Sequence, residues 1–234
     1  MNKEYLAIIG LYKGTAWLEK LVKSLENQTI PPSQIVIWNQ SSNFNRLNYH
    51  KYNIIECPNL GVYARFSAGL LYNYDRVLVL DDDTIPGCRW IENCYNTIDQ
   101  VGDESIIGYR GIKLHPDTLY DIEAYEKGND QIRCVSLVGH AWFVKRKHII
   151  ELFKTPELNQ FNGEDSTLAA STQLAFGTKC YVPKQLISEP DTWGSQMQHL
   201  GAMPGRLSTS LGPEKHLSDR KLINQFWVNK GWII

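Results

Sequence analysis

A chain of 234 residues is long enough for one well-buried domain and short for two. Its 43% apolar and 21% charged composition is that of a globular protein, not of a disordered or membrane-embedded one. A formal net charge of -1 argues against a general electrostatic grip on nucleic acid, so no nucleic-acid partner is expected.

The apolar run from Tyr5 to Ile9 predicts a strand covered on both faces, followed closely by Gly10. Leu18, Leu21, Val22 and Leu25 recur at helical spacing with charged residues between them, which predicts an amphipathic helix. Pro31 and Pro32 stop it, and Gln34 to Trp38 start a second buried strand. A third strand is expected at Tyr52 to Glu56, a turn at Asn59 and Gly61, and a covered helix from Ala64 to Leu71. Arg76 to Leu80 is the clearest buried strand, and it ends abruptly in Asp81, Asp82 and Asp83. Strands alternating with helices imply a parallel sheet with right-handed crossovers.

After Pro86 and Gly87, a helix is expected through Trp90, Ile91, Cys94 and Ile98. Ile106 to Tyr109 and Cys134 to Val138 read as strands, with residues 111–130 polar and irregular between them. Lys145 to His148 read as the start of a helix on a solvated face, with anionic acceptors or lipid headgroups as the functional alternative. A helix is expected from Ser166 to Phe176 and a strand from Lys179 to Pro183. From Pro190 the pattern weakens to an irregular tail. No repeat or linker divides the chain, so residues 1–234 read as one domain. The five cysteines are odd in number and lack a CxxC pair, which speaks against a disulfide framework or a thiolate zinc site. No integral membrane segment is expected, because the first apolar run is too short to span. The expected location is cytoplasmic.

Three adjacent carboxylates at the carboxyl end of a parallel strand would repel one another strongly unless a cation or solvent relieved them. A hard divalent ion bridging to phosphate is the natural relief. The plain alternative is a solvated acidic loop, and the buried strand directly before the triplet favours the ion. Asp81 and Asp83, with Thr84 adjacent, also resemble the motif of haloacid-dehalogenase-type phosphatases, with Asp81 as nucleophile and Asp83 as acid/base. That motif usually opens its domain, whereas here two strand-helix units precede it.

Leu18 to Pro32 followed by Ile35-Val36-Ile37, then Asn59 to Phe66, the triplet with Thr84, and Gly163-Glu164-Asp165-Ser166 stand in one order along the chain. In that order they resemble the family 2-like glycosyltransferases of the GT-A fold. Arg65-Phe66 is also similar to exostosin-like transferases. The resemblance covers roughly the first 185 residues, by its quoted motifs. It implies an α/β domain of GT-A type, with a mostly parallel central sheet flanked by helices and an irregular C-terminal tail. Residues 1–100 would form the nucleotide-sugar half, 101–189 the acceptor and catalytic half, and 190–234 a tail closing over the site.

The same resemblance implies a transferase moving a sugar from a nucleoside-diphosphate sugar, with UDP favoured, to a hydroxyl on a glycan, glycoprotein or lipid-linked acceptor. Mn²⁺ or Mg²⁺ is the implied cofactor. By the family's pattern, Asp83 would ligate the metal through a DXD-type motif, and Asp81 would share the metal or hold the ribose. Asp82 would approach the sugar. Gly10, Leu11, Tyr12 and Asn39 would border the base, and Arg65 would lie near the nucleotide. Many family members end the second strand in an acidic pair, where this chain has Trp38-Asn39-Gln40.

Glu164 and Asp165 would supply the general base, Asp165 first, with inversion of the anomeric carbon. The alternative for that pair is an ordinary helix cap. A third metal ligand would come from the C-terminal part, His199 ahead of His216. Arg206, Lys215 and Arg220 could bind diphosphate, and Trp142 could stack on a sugar face. A non-catalytic sugar-nucleotide-binding module is the remaining alternative.

Overall fold

The computed structural model describes residues 3–12, 16–119, 121–155, 161–196 and 213–234. The first half alternates strand and helix: β1 (Tyr5–Leu11), α1 (Leu18–Glu26), β2 (Gln34–Asn39), β3 (Asn53–Glu56), α2 (Ala64–Ser67), β4 (Arg76–Asp81) and α3 (Trp90–Val101). The second half contains β5 (Ile106–Leu114), β6 (Asp121–Tyr125), β7 (Arg133–Val135), β8 (Leu137–Lys145), α4 (Arg146–Lys154), α5 (Glu164–Phe176), β9 (Cys180–Val182) and α6 (Pro213–Asn229).

The strands form one sheet in the order β3-β2-β1-β4-β8-β5-β9-β7, with β6 paired to β5. From β3 to β4 every pairing is parallel. Beyond β4, β8 runs antiparallel to both β4 and β5, and only the short β5–β9 pairing is parallel. The expectation of a mostly parallel sheet is thus corrected to a mixed one. The change of direction follows from the connections: helices link the early strands, whereas β6, β7 and β8 return from β5 through short loops that permit antiparallel pairing.

Alternate residues of the central strands feed two cores. Tyr5, Ala7, Ile9, Leu78 and Leu80 face α1 and α3, meeting Leu18, Leu21, Trp90 and Ile91. Leu6, Ile8, Val77, Val79 and Trp142 face the other way, toward α2, α4, α5 and α6. Gln28 joins α1 to α3: its Nε2 donates to Gly87 O at 2.7 Å and its Oε1 accepts from Ile91 N at 3.1 Å. That acceptor satisfies one of the backbone donors a helix start leaves open.

Other boundaries differ from expectation for local reasons. The helix expected over Ala64 to Leu71 is only four α-helical residues, continued by a 3-10 turn from Ala68 to Leu70. Part of the irregular segment is ordered, because β5 runs on to Leu114 and pairs with β6. The single strand expected at Cys134 to Val138 is two strands broken at Ser136, whose Oγ accepts from Leu114 N at 3.1 Å. The tail contains the 17-residue α6, whose buried contacts are few: Ile223, Asn224 and Trp227. Trp227 Nε1 donates to Thr167 Oγ1 at 3.2 Å, fastening α6 to α5.

The Lys145 to His148 run does begin a helix, at the end of the sheet remote from the triplet. There Lys145 Nζ donates to Glu104 Oε1 at 3.0 Å. His148 is fully buried, its Nδ1 accepting from Lys145 N at 3.3 Å. Burial pushes its pKa down to about 4 from 6.5. Between those values the unfolded chain binds the proton and the native state does not, so stability is full above pH 6.5 and falls as the pH drops toward 4. The acid-side loss assigned to His148 is on the order of 3 kcal/mol. Urea unfolding at several pH values should therefore show a shallower acid decline for His148→Gln than for the parent chain. Identical slopes would remove His148 as a cause.

Candidate active site

The site begins where β1 and β4 end side by side, with Gly10 opposite Asp81. Asp81 closes β4, and Asp82 and Asp83 occupy the turn that follows, pinned by a Thr84 N to Asp81 O hydrogen bond of 3.1 Å. Behind the turn, Ser195 Oγ accepts from Ile85 N at 3.2 Å, and Gln196 N donates to Ile85 O at 2.7 Å. The tail segment before residue 197 thus braces the acidic turn.

Antiparallel β8 brings a different kind of residue to the same place. Ala141 pairs with Leu80, so His140 stands beside Asp81, with Nδ1 3.2 Å from Asp81 Oδ2. His140 has a φ of 64°, uncommon for a residue with a side chain, at an irregularity in the pairing of β8 with β5. Asp81, Asp83 and His140 can each present one ligand atom within 4.8 Å of the others. Two carboxylates and an imidazole make a donor set suited to a divalent ion, and among the described residues this is where such a set occurs.

Arg65 sits at the centre of the charge pattern. Its Nη1 lies 3.2 Å from Asp81 Oδ1, and its Nη2 donates to Glu164 Oε1 at 2.7 Å. The guanidinium also lies 4.9 Å from the centre of the Trp142 ring, within cation–π range. Gly10 makes room for it, since a Cβ there would come within 2.6 Å of Arg65 Cδ. Gly10→Ala is therefore expected to displace Arg65 and destabilise the fold by about 1–3 kcal/mol, measured by urea unfolding. A loss below about 0.5 kcal/mol would mean the arginine yields without strain.

Asp82 accepts from Tyr12 N at 3.1 Å, tying the triplet to the end of β1. Burial pushes the Asp82 carboxyl up to about 6; the Tyr12 bond opposes the rise, and Asp81 and Asp83 add to it. Glu164 and Asp165 open α5, behind Gly163 at a φ of 82°. A Cβ on Gly163 would meet Ile223 Cδ1 at 2.4 Å, so this glycine lets α6 pack against the helix start. Asp165 pairs with Arg220 of α6 and accepts from Ser166 N at 2.7 Å. Burial raises the pKa of Glu164, Arg65 pulls it back, and Asp165 raises it again.

A cavity of about 470 Å³ unites these groups. Gly10, Leu11, Tyr12, Arg65, Asp81, Asp82, Asp83, Glu164 and Asp165 all line it. Asn39 does not. Its buried Oδ1 accepts from Ser41 N at 2.9 Å, a local turn, and Trp38 and Gln40 face the cavity instead. Trp142 also lines the cavity, but it is only 2% exposed beneath Arg65, its Nε1 donating to Val138 O at 2.7 Å. His199 and Arg206 lie outside the described residues. His216 and Arg220 line the cavity, but the histidine that meets Asp81 and Asp83 is His140. Its one available signal was a lone histidine beside Gly139 in an otherwise apolar strand.

No family model matches this chain, and no curated protein sequence matches it. Its fold is matched by solved structures of S. aureus TarS, a family 2 glycosyltransferase. TarS 1-349 superposes with a TM-score of 0.54 at 13% identity, over 77% of this chain and 60% of that one. A second TarS structure gives 0.54 at 14% identity, over 80% of this chain and 37% of that one. This chain thus spans under two thirds of either. The fold is a GT-A-like mixed α/β domain with a central sheet flanked by helices. Among the described residues, no helix is long and apolar enough to cross a membrane.

Proposed function

We propose that this chain is a metal-dependent glycosyltransferase. It would move a sugar from a nucleoside-diphosphate sugar, UDP-linked by preference, to an acceptor hydroxyl with inversion at the anomeric carbon. The observation that carries the reading is the convergence of Asp81, Asp83 and His140 beside Arg65, in a cavity of about 470 Å³ on a GT-A-like sheet. A volume of that size suits a small-molecule substrate.

Asp81, Asp83 and His140 would hold the ion. Their mixed oxygen and nitrogen donors suit Mn²⁺ better than Mg²⁺, which favours oxygen alone. When bound, the ion would neutralise charge on the departing diphosphate. Arg65, fixed between Asp81 and Glu164, supplies a second positive charge close by. The end of β1, with Trp38 and Gln40, offers the border for the base. Asp165 is our first choice of base for the acceptor hydroxyl. It stands in the first turn of α5, and Arg220 orients it. Glu164 is the alternative.

A thermal-shift panel of nucleotide-sugars with and without Mn²⁺ tests the reading, followed by NMR of the product anomer. Metal and a UDP-sugar should raise the melting temperature together. Asp165→Asn should keep that shift and slow donor turnover by about 10²–10⁴-fold. Hydrolysis of a simple phosphate ester without any nucleotide would favour a phosphatase using Asp81 and Asp83. Binding with no turnover of any donor, even by water, would favour a binding module. A retained anomer would remove Asp165 as a simple base.

A further inference from the structure

Among the described residues, three arginines line the cavity, and two of them have carboxylate partners. Arg65 holds Asp81 and Glu164, and Arg220 holds Asp165. Arg110, half-buried on β5, has no hydrogen bond or ion pair among the described residues, and its Nε is shielded from solvent. Withholding its Nε–H from water without a partner is costly, so this side chain is poised for an anion from outside the chain.

Its surroundings sharpen this. Arg110 pairs in register with Gly139 of β8, at the irregularity that follows Gly108, and such irregularities re-aim side chains beside active sites. A Cβ on Gly139 would meet nothing within 4 Å, so open space adjoins the Arg110 position. Ile112, Leu119 and Leu137 line the same part of the cavity, and an apolar lining strengthens a charge-assisted contact. Across the sheet, β1 and β4 lie on one side of His140 and β5 on the other, so Arg110 lies away from the strand ends proposed for the nucleotide.

We propose that Arg110 recognises a carboxylate or phosphate carried by the acceptor, so that this site takes an anionic glycan or a phosphorylated sugar rather than a neutral one. The assignment to the acceptor rests on the transferase reading above.

Glucose, glucuronate and glucose 6-phosphate serve as probes, titrated by NMR with and without Mn²⁺ and UDP. The parent chain should bind the two charged sugars at least about tenfold tighter than glucose, the scale of one charge-assisted contact. Arg110→Gln should abolish that preference while Mn²⁺ and UDP bind as before. Arg110→Lys should restore it in part, which a merely structural role would not do. Equal binding of charged and neutral sugars by the parent chain overturns the proposal, as does a preference that survives Arg110→Gln. A preference seen only for UDP-glucuronate over UDP-glucose also overturns it, assigning Arg110 to the donor sugar. A chain indifferent to Mn²⁺ and UDP that still prefers glucuronate through Arg110 sinks the transferase reading but keeps the anion site.

Discussion

Arg65→Met is expected to destabilise the metal-free fold by about 3–5 kcal/mol, the usual cost of stripping one partner from a buried ion pair. Methionine keeps most of the volume against Gly10 and Trp142, so the loss isolates charge from packing. Without the guanidinium, Asp81 and Glu164 face each other and Asp165 across a site where Glu164 is only 12% exposed. Urea unfolding reads the loss directly. Mn²⁺ should restore part of it, because a cation at Asp81 relieves the same repulsion. Adding Glu164→Gln to Arg65→Met should recover a further share, as one uncompensated carboxylate disappears. A loss below about 1 kcal/mol would mean the pair behaves as if solvated, and that Arg65 is not the organiser of this charge cluster.

The second large effect concerns the metal. Asp83→Ala and His140→Ala are each expected to reduce kcat/KM for transfer by about 10³-fold or more, with little change in stability. Asp83 lies in a turn that lines the cavity and His140 on strand β8, so each substitution removes one donor from a shared set. Because both act on one ion, their effects should fall well short of additive in the double variant. Raising Mn²⁺ should rescue either single variant in part. Additive losses, or rescue of neither, would place the two residues in separate roles.

How much was legible in the sequence depended on the range of the signal. β1, β2 and β4 could be read because strands covered on both faces are continuous apolar runs. The triplet could be read because its oddity is local: three charges directly after such a run. His140 and Arg110 could not, because their meaning arises from β8 inserting antiparallel between β4 and β5, a pairing no local pattern encodes. Asn39 misled for the opposite reason, since its position at a strand end is right but its side chain is taken by its own turn. α6 escaped notice because its buried residues are few, while apolar Leu217 and Leu222 are exposed. That weak amphipathicity hides a helix whose Arg220 reaches Asp165.

Co-crystallisation with Mn²⁺ and UDP tests the central claim most directly. The account predicts an ion ligated by Asp81, Asp83 and His140, with the diphosphate near Arg65 and the base beside the end of β1. Both ligands bound elsewhere, with the three acidic side chains turned to bulk water, would contradict it.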